Sequence, residues 1–286
     1  MQLLKGHEVS KAVRSQIQKD VEKYTQKVGH PPGLAVLLIG DDPASQVYVR
    51  NKEKACKEVG IRSVLHHLSE NTSSNELYSL INHLNKDPSI QGILIQLPLP
   101  PHLQSEQILN WISPHKDVDG LTLENVGRLF SGRPRVVPCT PAGVMKILEH
   151  YQIPVEGKEA VVIGRSHIVG LPMFQLLQKA NATVTLCHSR TPNLQAHTQK
   201  ADLVVVAAGK PGLLGREDFK KDAVVIDVGI HREIVDGKTR LCGDVRSDEL
   251  KDWVKAITPV PGGVGPMTIT MLLFNTMELA FQQITY

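Results

Sequence analysis

The residues Leu34-Ala35-Val36-Leu37-Leu38-Ile39, closed by Gly40-Asp41-Asp42-Pro43, decide the fold class. Six apolar residues without a break suit a strand buried on both faces, and the Gly-Asp-Asp-Pro run ends it in a turn. Directly after it, Ala44, Val47, Ala55, Cys56 and Val59 recur at helical spacing, which predicts a helix over 47–60. The alternation continues with a strand over 61–68, a helix over 75–86 and a strand over 92–97 that stops at Pro98-Leu99-Pro100-Pro101. Upstream, Val9, Val13, Ile17 and Val21 form the apolar stripe of an amphipathic helix over 8–28. Strands alternating with helices imply parallel βαβ units.

A second series opens after Val136-Val137-Pro138-Cys139-Thr140-Pro141, a connection that its prolines hold extended, with a helix over 142–150 beyond it. A buried strand over 160–164 runs into Gly164-Arg165-Ser166-His167-Ile168-Val169-Gly170, followed by a helix through 180 and a strand over 182–187. Two more buried runs, 201–209 and 223–229, each end in glycine. A short helix near 247–253 and a short strand at 256–258 lead to the Gly- and Pro-rich stretch 259–268, and a last helix covers 268–283. At 286 residues the chain exceeds a usual single domain, so two α/β domains are expected.

The composition excludes several classes. With 41% apolar and 21% charged residues the chain is an ordinary globular protein, and a net charge of +3 gives no footprint for nucleic acid. The four cysteines, Cys56, Cys139, Cys187 and Cys242, form no Cys-x-x-Cys pair, and no His-x-x-x-His occurs, so no metal is expected. Isolated thiols point to a reducing, cytoplasmic setting. The first residues carry no signal-peptide core and no apolar run approaches membrane-spanning length, so no membrane partner is expected.

Candidate functional residues fall at strand and helix ends. Tyr48 and Lys52, four apart, project together from one helical face, where a ring can stack on a flat heterocycle beside an amine; the pair alone equally fits a surface tyrosine on a lysine stem. Gln96 ends a strand, where parallel sheets bind ligands, or it is simply a polar strand terminus. In Lys116-Asp117-Val118-Asp119-Gly120 one acid can close the turn, which leaves the other for a ligand. The Gly164–Gly170 stretch resembles a dinucleotide-binding turn, though Ser166 stands in place of the second glycine and a plain strand-to-helix turn reads alike. The strand that follows ends in His188-Ser189-Arg190-Thr191 instead of the acid expected about 20 residues after the first glycine. A hydroxyl, a guanidinium and nearby Arg165 favour a 2′-phosphate, hence NADP.

Taken together, Tyr48-Val49-Arg50-Asn51-Lys52-Glu53-Lys54-Ala55 with Gly60-Ile61, Gln96-Leu97-Pro98, Lys116–Gly120, Pro138–Pro141, Gly164–Gly170 and Pro259-Val260-Pro261-Gly262-Gly263-Val264-Gly265-Pro266-Met267-Thr268 resemble one family along nearly the whole chain. It is the bifunctional methylenetetrahydrofolate dehydrogenase and methenyltetrahydrofolate cyclohydrolase. The resemblance implies an N-terminal three-layer α/β domain over 1–138, completed by a C-terminal helix over 266–286. It also implies a Rossmann-like NADP-binding domain over 139–265, with the active site in the cleft between the two. It implies a folate substrate packed by Tyr48, a catalytic Lys52 partnered by Gln96, Asp119 as the pterin anchor, and Leu97, Pro261 and Gly262 lining the substrate site. Gly164, Arg165, Ser166, Ser189 and Arg190 would hold NADP, and Ile230 would lie by its nicotinamide or ribose. A homodimer in cytoplasmic one-carbon metabolism, serving purine, histidine and methionine biosynthesis, is implied as well. A shikimate-type NADP dehydrogenase shares the two-domain plan and a lysine, and a non-catalytic NADP-binding sensor shares the turn; turnover of a folate substrate separates both from the family reading.

Overall fold

The computed structural model describes residues 1–235 and 238–284. The chain runs through β1 (Gln2–Leu3), α1 (Gly6–Val28), β2 (Gly33–Ile39), α2 (Pro43–Val59), β3 (Arg62–Leu68), α3 (Ser74–Lys86), β4 (Gly92–Ile95), α4 (Ser105–Leu109) and α5 (Leu123–Phe130). It continues through α6 (Cys139–His150), β5 (Glu159–Ile163), α7 (Gly170–Lys179), β6 (Thr183–Cys187), α8 (Leu194–Thr198), β7 (Leu203–Val206), β8 (Val224–Asp227), β9 (His231–Val235), β10 (Lys238–Cys242), β11 (Ala256–Ile257) and α9 (Val264–Gln283). Two compact units form, one from 12–139 with 269–286 and the other from 1–11 with 140–268.

The first unit is built on a parallel three-stranded sheet in the order β3-β2-β4. All seven residues of β2 are buried, as its unbroken apolar run requires of a central strand. Leu77, Ile81 and Leu84 of α3 pack with Ala35, Leu37 and Ile39 of β2 and with Ile93 and Ile95 of β4. Near Gly92 the other set of β2 side chains meets α9, where Leu34 and Thr276 approach the same point. Helices therefore cover both sheet faces. Asn275 of α9 ties the unit together, because its Nδ2 donates to the carbonyls of Val118 and Val137, each at 2.8 Å. Gln283 adds bonds to the carbonyls of Gln91 and His115.

The second unit carries a six-stranded parallel sheet in the order β1-β11-β8-β7-β5-β6. Leaving β1 aside, this is the 2-1-3-4-5 order of a doubly wound sheet, and strand direction of travel reverses between β5 and β7. A core of Val161, Ile163, Val204, Val206 and Val225 with Phe219, Leu250 and Val254 fills one side. β9 and β10 form a separate antiparallel hairpin.

Several expectations need adjusting. The first eleven residues join the six-stranded unit, because Gln2 and Leu3 pair with Ala256 and Ile257. The stretch at Pro138–Pro141 is helical from Cys139, since proline is tolerated in a first turn. For the same reason α9 starts at Val264, inside the Gly- and Pro-rich stretch. On α2 the inward residues are Ser45, Val49, Ala55, Cys56 and Val59, whereas Ala44 faces solvent. α9 spans twenty residues and is apolar enough to cross a membrane by length and composition, contrary to the sequence reading; most of it is buried in the protein, which makes it a core helix.

Replacing Asn275 by Ala removes the partners of two carbonyls inside the unit. The unfolding free energy should fall by about 2–4 kcal/mol, because each buried unpaired group costs roughly 1–3 kcal/mol. Urea denaturation measures it, and a loss below about 0.5 kcal/mol would mean that the carbonyls find other partners.

Candidate active site

Helix α2 presents Tyr48 and Lys52. Its start is set by Asp42, whose carboxylate accepts from the Ser45 N–H at 2.7 Å, with Pro43 in the first turn. It ends at Gly60, whose φ of 87° is the left-handed cap that glycine adopts without a Cβ penalty. Tyr48 is 42% exposed, so its ring is available at the surface of the unit. Lys52 is half-buried, and its position, three and four residues from the inward Val49 and Cys56, turns the amine inward.

The amine meets the end of β4. Lys52 Nζ donates to Gln96 Oε1 at 2.9 Å, and Gln96 Nε2 donates to the Leu97 carbonyl at 2.6 Å, which fixes the amide with its oxygen toward the lysine. The Gln96 backbone N–H is held by the Leu37 carbonyl at 2.9 Å, one strand over. The site thus lies beyond the carboxyl ends of β2 and β4, where the β3-β2-β4 order reverses. Leu97 is half-buried beside it, against the core that α3 shares with the sheet.

The two acids of the 116–120 turn have different partners. Asp117 is buried and structural: its Oδ2 accepts from the Thr122 N–H at 2.8 Å and from Asn125 Nδ2 at 2.9 Å. Lys116 is structural too, donating to the carbonyls of Leu84 and Asp87. Asp119 has a different partner, the Cys139 thiol, which donates to its Oδ1 at 3.2 Å. Asn275 Nδ2 lies 3.6 Å from that sulfur while holding the Val118 carbonyl next to Asp119.

Burial controls the charges here. It lowers the pKa of Lys52, against the opposing pull of Asp119, Cys139 and Cys56. It raises that of Asp119, against the pull of Lys52 and the thiol hydrogen bond, with Asp117 adding to the rise. The Cys139 thiol is pushed well up by burial and by the adjacent Asp119, so it stays protonated as a donor and is no nucleophile. Among the described residues Lys52 has no salt bridge, and its amine is held by an amide instead of a carboxylate. Such an amine can surrender or take a proton.

The six-stranded unit assembles the other group. Gly164 follows β5 with a φ of 116°, and a Cβ there would overlap the Ala207 carbonyl at the end of β7. A Cβ on Gly170 would overlap the Gly164 carbonyl. Both glycines are needed to bring the start of α7 against the strand ends at the point of reversal. Ser166, in place of the missing glycine, accepts from the N–H groups of Val169 and Gly170 at 3.1 and 3.4 Å, which ties the turn to the helix start. Arg165, Ser189 and Arg190 are exposed at the ends of β5 and β6, and neither guanidinium is in a salt bridge among the described residues. Two free cations, a hydroxyl and no carboxylate fit a 2′-phosphate. Ile230, 46% exposed, follows β8. Pro261 and Gly262 belong to this unit, and the Gly262 carbonyl accepts from the His7 N–H at 3.3 Å. No cluster of potential metal ligands occurs among the described residues.

Sequence reasoning overlooked Cys139 and Asn275 as members of the lysine site. Cys139 lies in the Pro138–Pro141 motif with nothing to mark it as a donor, whereas Asn275 is a polar residue inside an apolar helix, which is the signal that could have found it.

The chain matches the family described as tetrahydrofolate dehydrogenase/cyclohydrolase, with its catalytic domain over residues 4–119 and its NAD(P)-binding domain over residues 138–284. It is 58% identical to the bifunctional protein FolD of Bdellovibrio bacteriovorus over 281 residues, covering 98% of this chain and 97% of that one. It is similar to the crystal structure of the bifunctional FolD enzyme of Campylobacter jejuni, with a TM-score of 0.94, 48% identity and 99% of each chain covered. A Trypanosoma brucei methylenetetrahydrofolate dehydrogenase-cyclohydrolase, solved with NADP and an inhibitor, superposes with a TM-score of 0.95 at 38% identity, over 99% of this chain and 98% of that one.

All four thiols are free, and Cys56, Cys139 and Cys187 are buried. The pKa of Cys56 is pushed up to about 12, chiefly by burial. Brief alkylation of the folded protein at neutral pH should therefore label Cys242, which alone is half-exposed, and spare the other three until denaturant is added. Peptide mass spectrometry reads the outcome; early labelling of Cys139 would contradict its hydrogen bond to Asp119.

Proposed function

The chain belongs to the tetrahydrofolate dehydrogenase/cyclohydrolase family, and we propose that Lys52, oriented by Gln96 and set beside Asp119, carries the hydrolytic half of its chemistry. The protein is a bifunctional enzyme: it oxidises 5,10-methylenetetrahydrofolate to the 5,10-methenyl form with NADP⁺ and hydrolyses that product to 10-formyltetrahydrofolate. The observation that carries the assignment of Lys52 is its hydrogen bond to the Gln96 amide at 2.9 Å, in surroundings that disfavour its cation.

For the oxidation, bound NADP⁺ would supply the acceptor for a hydride from the one-carbon bridge. No side chain needs to move a proton in that step, so this chain contributes position. Tyr48 packs against the flat rings of the folate, Asp119 anchors the pterin by accepting from its N–H groups, and Leu97, Pro261 and Gly262 supply apolar or close backbone contact. Gly164, Arg165, Ser166, Ser189 and Arg190 would hold the cofactor's phosphates, and Ile230 would lie toward its nicotinamide end. Alignment of two flat rings at contact distance supplies the main rate advantage.

In the hydrolysis, water adds to the methenyl carbon while neutral Lys52 takes one of its protons. The adduct then opens: the carbon–N5 bond breaks, the hydroxyl becomes the formyl carbonyl, and N5 gains a proton. One proton is released overall. A carboxylate partner would pin Lys52 as an ammonium; the Gln96 amide orients the amine without that charge.

Two finer assignments accompany this reading. Free thiols suit the reducing cytoplasm in which folate chemistry of this kind runs, and a secreted protein would show disulfides after purification without reductant. β3 is the outer strand of its sheet, seven residues long, with Leu65 38% exposed, and its free edge suits pairing with the same strand of a second copy. Sedimentation should give twice the chain mass for the natural protein and once for Leu65→Lys; an unchanged mass in the variant would place the dimer contact elsewhere.

Lys52→Met should abolish methenyl hydrolysis, by at least about 100-fold, while NADP⁺ still binds. In the natural enzyme the hydrolytic rate should rise with pH as Lys52 loses its proton. Because burial lowers the pKa, the midpoint of the rise should fall below the ordinary lysine value of 10.5. Stopped assays at the methenyl absorbance test both, and full hydrolysis by the methionine variant would refute the assignment.

A further inference from the structure

Outside the residues assigned so far, the six-stranded unit contains two carboxylates that solvent barely reaches, Asp227 at 2% and Asp244 at 0% exposure. Neither belongs to an ion pair with lysine or arginine among the described residues. Their partners are backbone N–H groups of three separate loops and one imidazole. Asp244 Oδ2 accepts from the N–H groups of Ala208 and Gly209 at 2.7 and 2.9 Å, just past β7. Its Oδ1 meets His231 Nε2 at 2.7 Å, at the start of β9. Asp227 Oδ1 accepts from the N–H groups of Gly229 and Asp244, each at 3.0 Å, and its Oδ2 from that of Val245 at 3.0 Å.

The packing around the two carboxylates is close. A Cβ on Gly243 would overlap Asp227 Oδ2, and a Cβ on Gly229 would press on the Asp244 carboxylate. Ile230 sits between the two anchored points, with Gly229 bonded to Asp227 on one side and His231 bonded to Asp244 on the other. The segments fixed in this way, 207–209 and 228–231, follow the carboxyl ends of β7 and β8. They lie on the far side of the sheet reversal from β6, which carries Ser189 and Arg190. A dinucleotide whose 2′-phosphate rests on Arg165, Ser189 and Arg190 must run from β6 across β5 toward β7 and β8.

We infer that Asp244, seconded by His231 and Asp227, is a positioning residue for the nicotinamide half of the cofactor: it holds the Ala208–Gly209 backbone and Ile230 in one fixed arrangement against that ring. The inference rests on the cofactor placement proposed above. It gives these acids a task in the oxidation and none in the hydrolysis. Buried carboxylates bonded to successive N–H groups make a stiff support, and hydride transfer punishes small errors of placement.

The test compares two ligands on the intact enzyme. NADP⁺ spans the whole site, whereas adenosine 2′,5′-bisphosphate carries the 2′-phosphate end and lacks the nicotinamide. For Asp244→Asn, calorimetry should show NADP⁺ affinity lowered by about 10-fold or more, with the bisphosphate bound as tightly as before. Dehydrogenase kcat should fall relative to the cofactor-free hydrolysis of the methenyl substrate. His231→Leu, which removes one bond at a half-buried side chain, should give the same pattern more weakly, and His231→Gln should restore it; this series decides the matter if Asp244→Asn does not fold. Equal losses for both ligands, or no loss for either, would overturn the inference. Failure of the natural enzyme to bind the bisphosphate, with NADP⁺ binding intact, would instead overturn the placement of the 2′-phosphate, and the inference with it.

Discussion

A lysine ammonium taken out of water loses several kcal/mol of hydration, and only a close opposite charge or loss of its proton offsets that cost. Lys52 is in this position. Asp119, the carboxylate that acts most on it, accepts from the Cys139 thiol and is itself disfavoured as an anion by burial. The direct partner, Gln96, is neutral. Much of the three-stranded unit serves to maintain this arrangement: β2 holds the Gln96 backbone, and Asn275 holds the turn that carries Asp119. The buried Asp117 closes the rest of that turn so that Asp119 need not.

Both units obey one topological rule with different chemistry. In each, the strand order reverses once, and the loops beyond the strand ends at the reversal diverge to leave room for a ligand. In the three-stranded unit that room receives side chains, an amine and an amide. In the six-stranded unit it is lined by backbone, because Gly164 and Gly170 let two strands and a helix start come together. A flat, reactive substrate calls for the first kind of lining and a phosphate chain for the second.

The strands were legible because parallel strands buried on both faces are unbroken apolar runs, and 34–39, 160–163 and 203–206 are such runs. The helix boundaries were less so. Proline reads as a helix stop, yet Pro43, Pro141 and Pro266 all stand in first turns, where no N–H bond is lost. β1 was illegible, since two residues carry no periodicity and their pairing with β11 is decided by contacts some 250 residues away in sequence. Of the site, the residues alone marked Tyr48 with Lys52 on one helical face, Gln96 at a strand end and one turn-closing acid in 116–120. That Lys52 pairs with Gln96, and which acid is left over, came only with the family resemblance, because both depend on contacts distant in sequence. The thiol donor Cys139 could not be read. A cysteine in an apolar setting usually only packs, and its bond to Asp119 depends on a turn twenty residues earlier.

The α9 helix shows why composition and position must be read together. A helix buried over most of its surface keeps little polar face, so it loses the stripe that marks an amphipathic helix and resembles a membrane span. What separates the two is the treatment of the polar residues that remain. In α9 the Thr276 hydroxyl donates to the Leu272 carbonyl, one turn back, as it could in lipid. Asn275 instead reaches out of its helix to two carbonyls in irregular chain, at Val118 and Val137. Irregular backbone of that kind needs a donor that protein must supply once water is excluded. The single asparagine therefore places α9 inside a folded unit, and it does so at the turn on which the position of Asp119 depends.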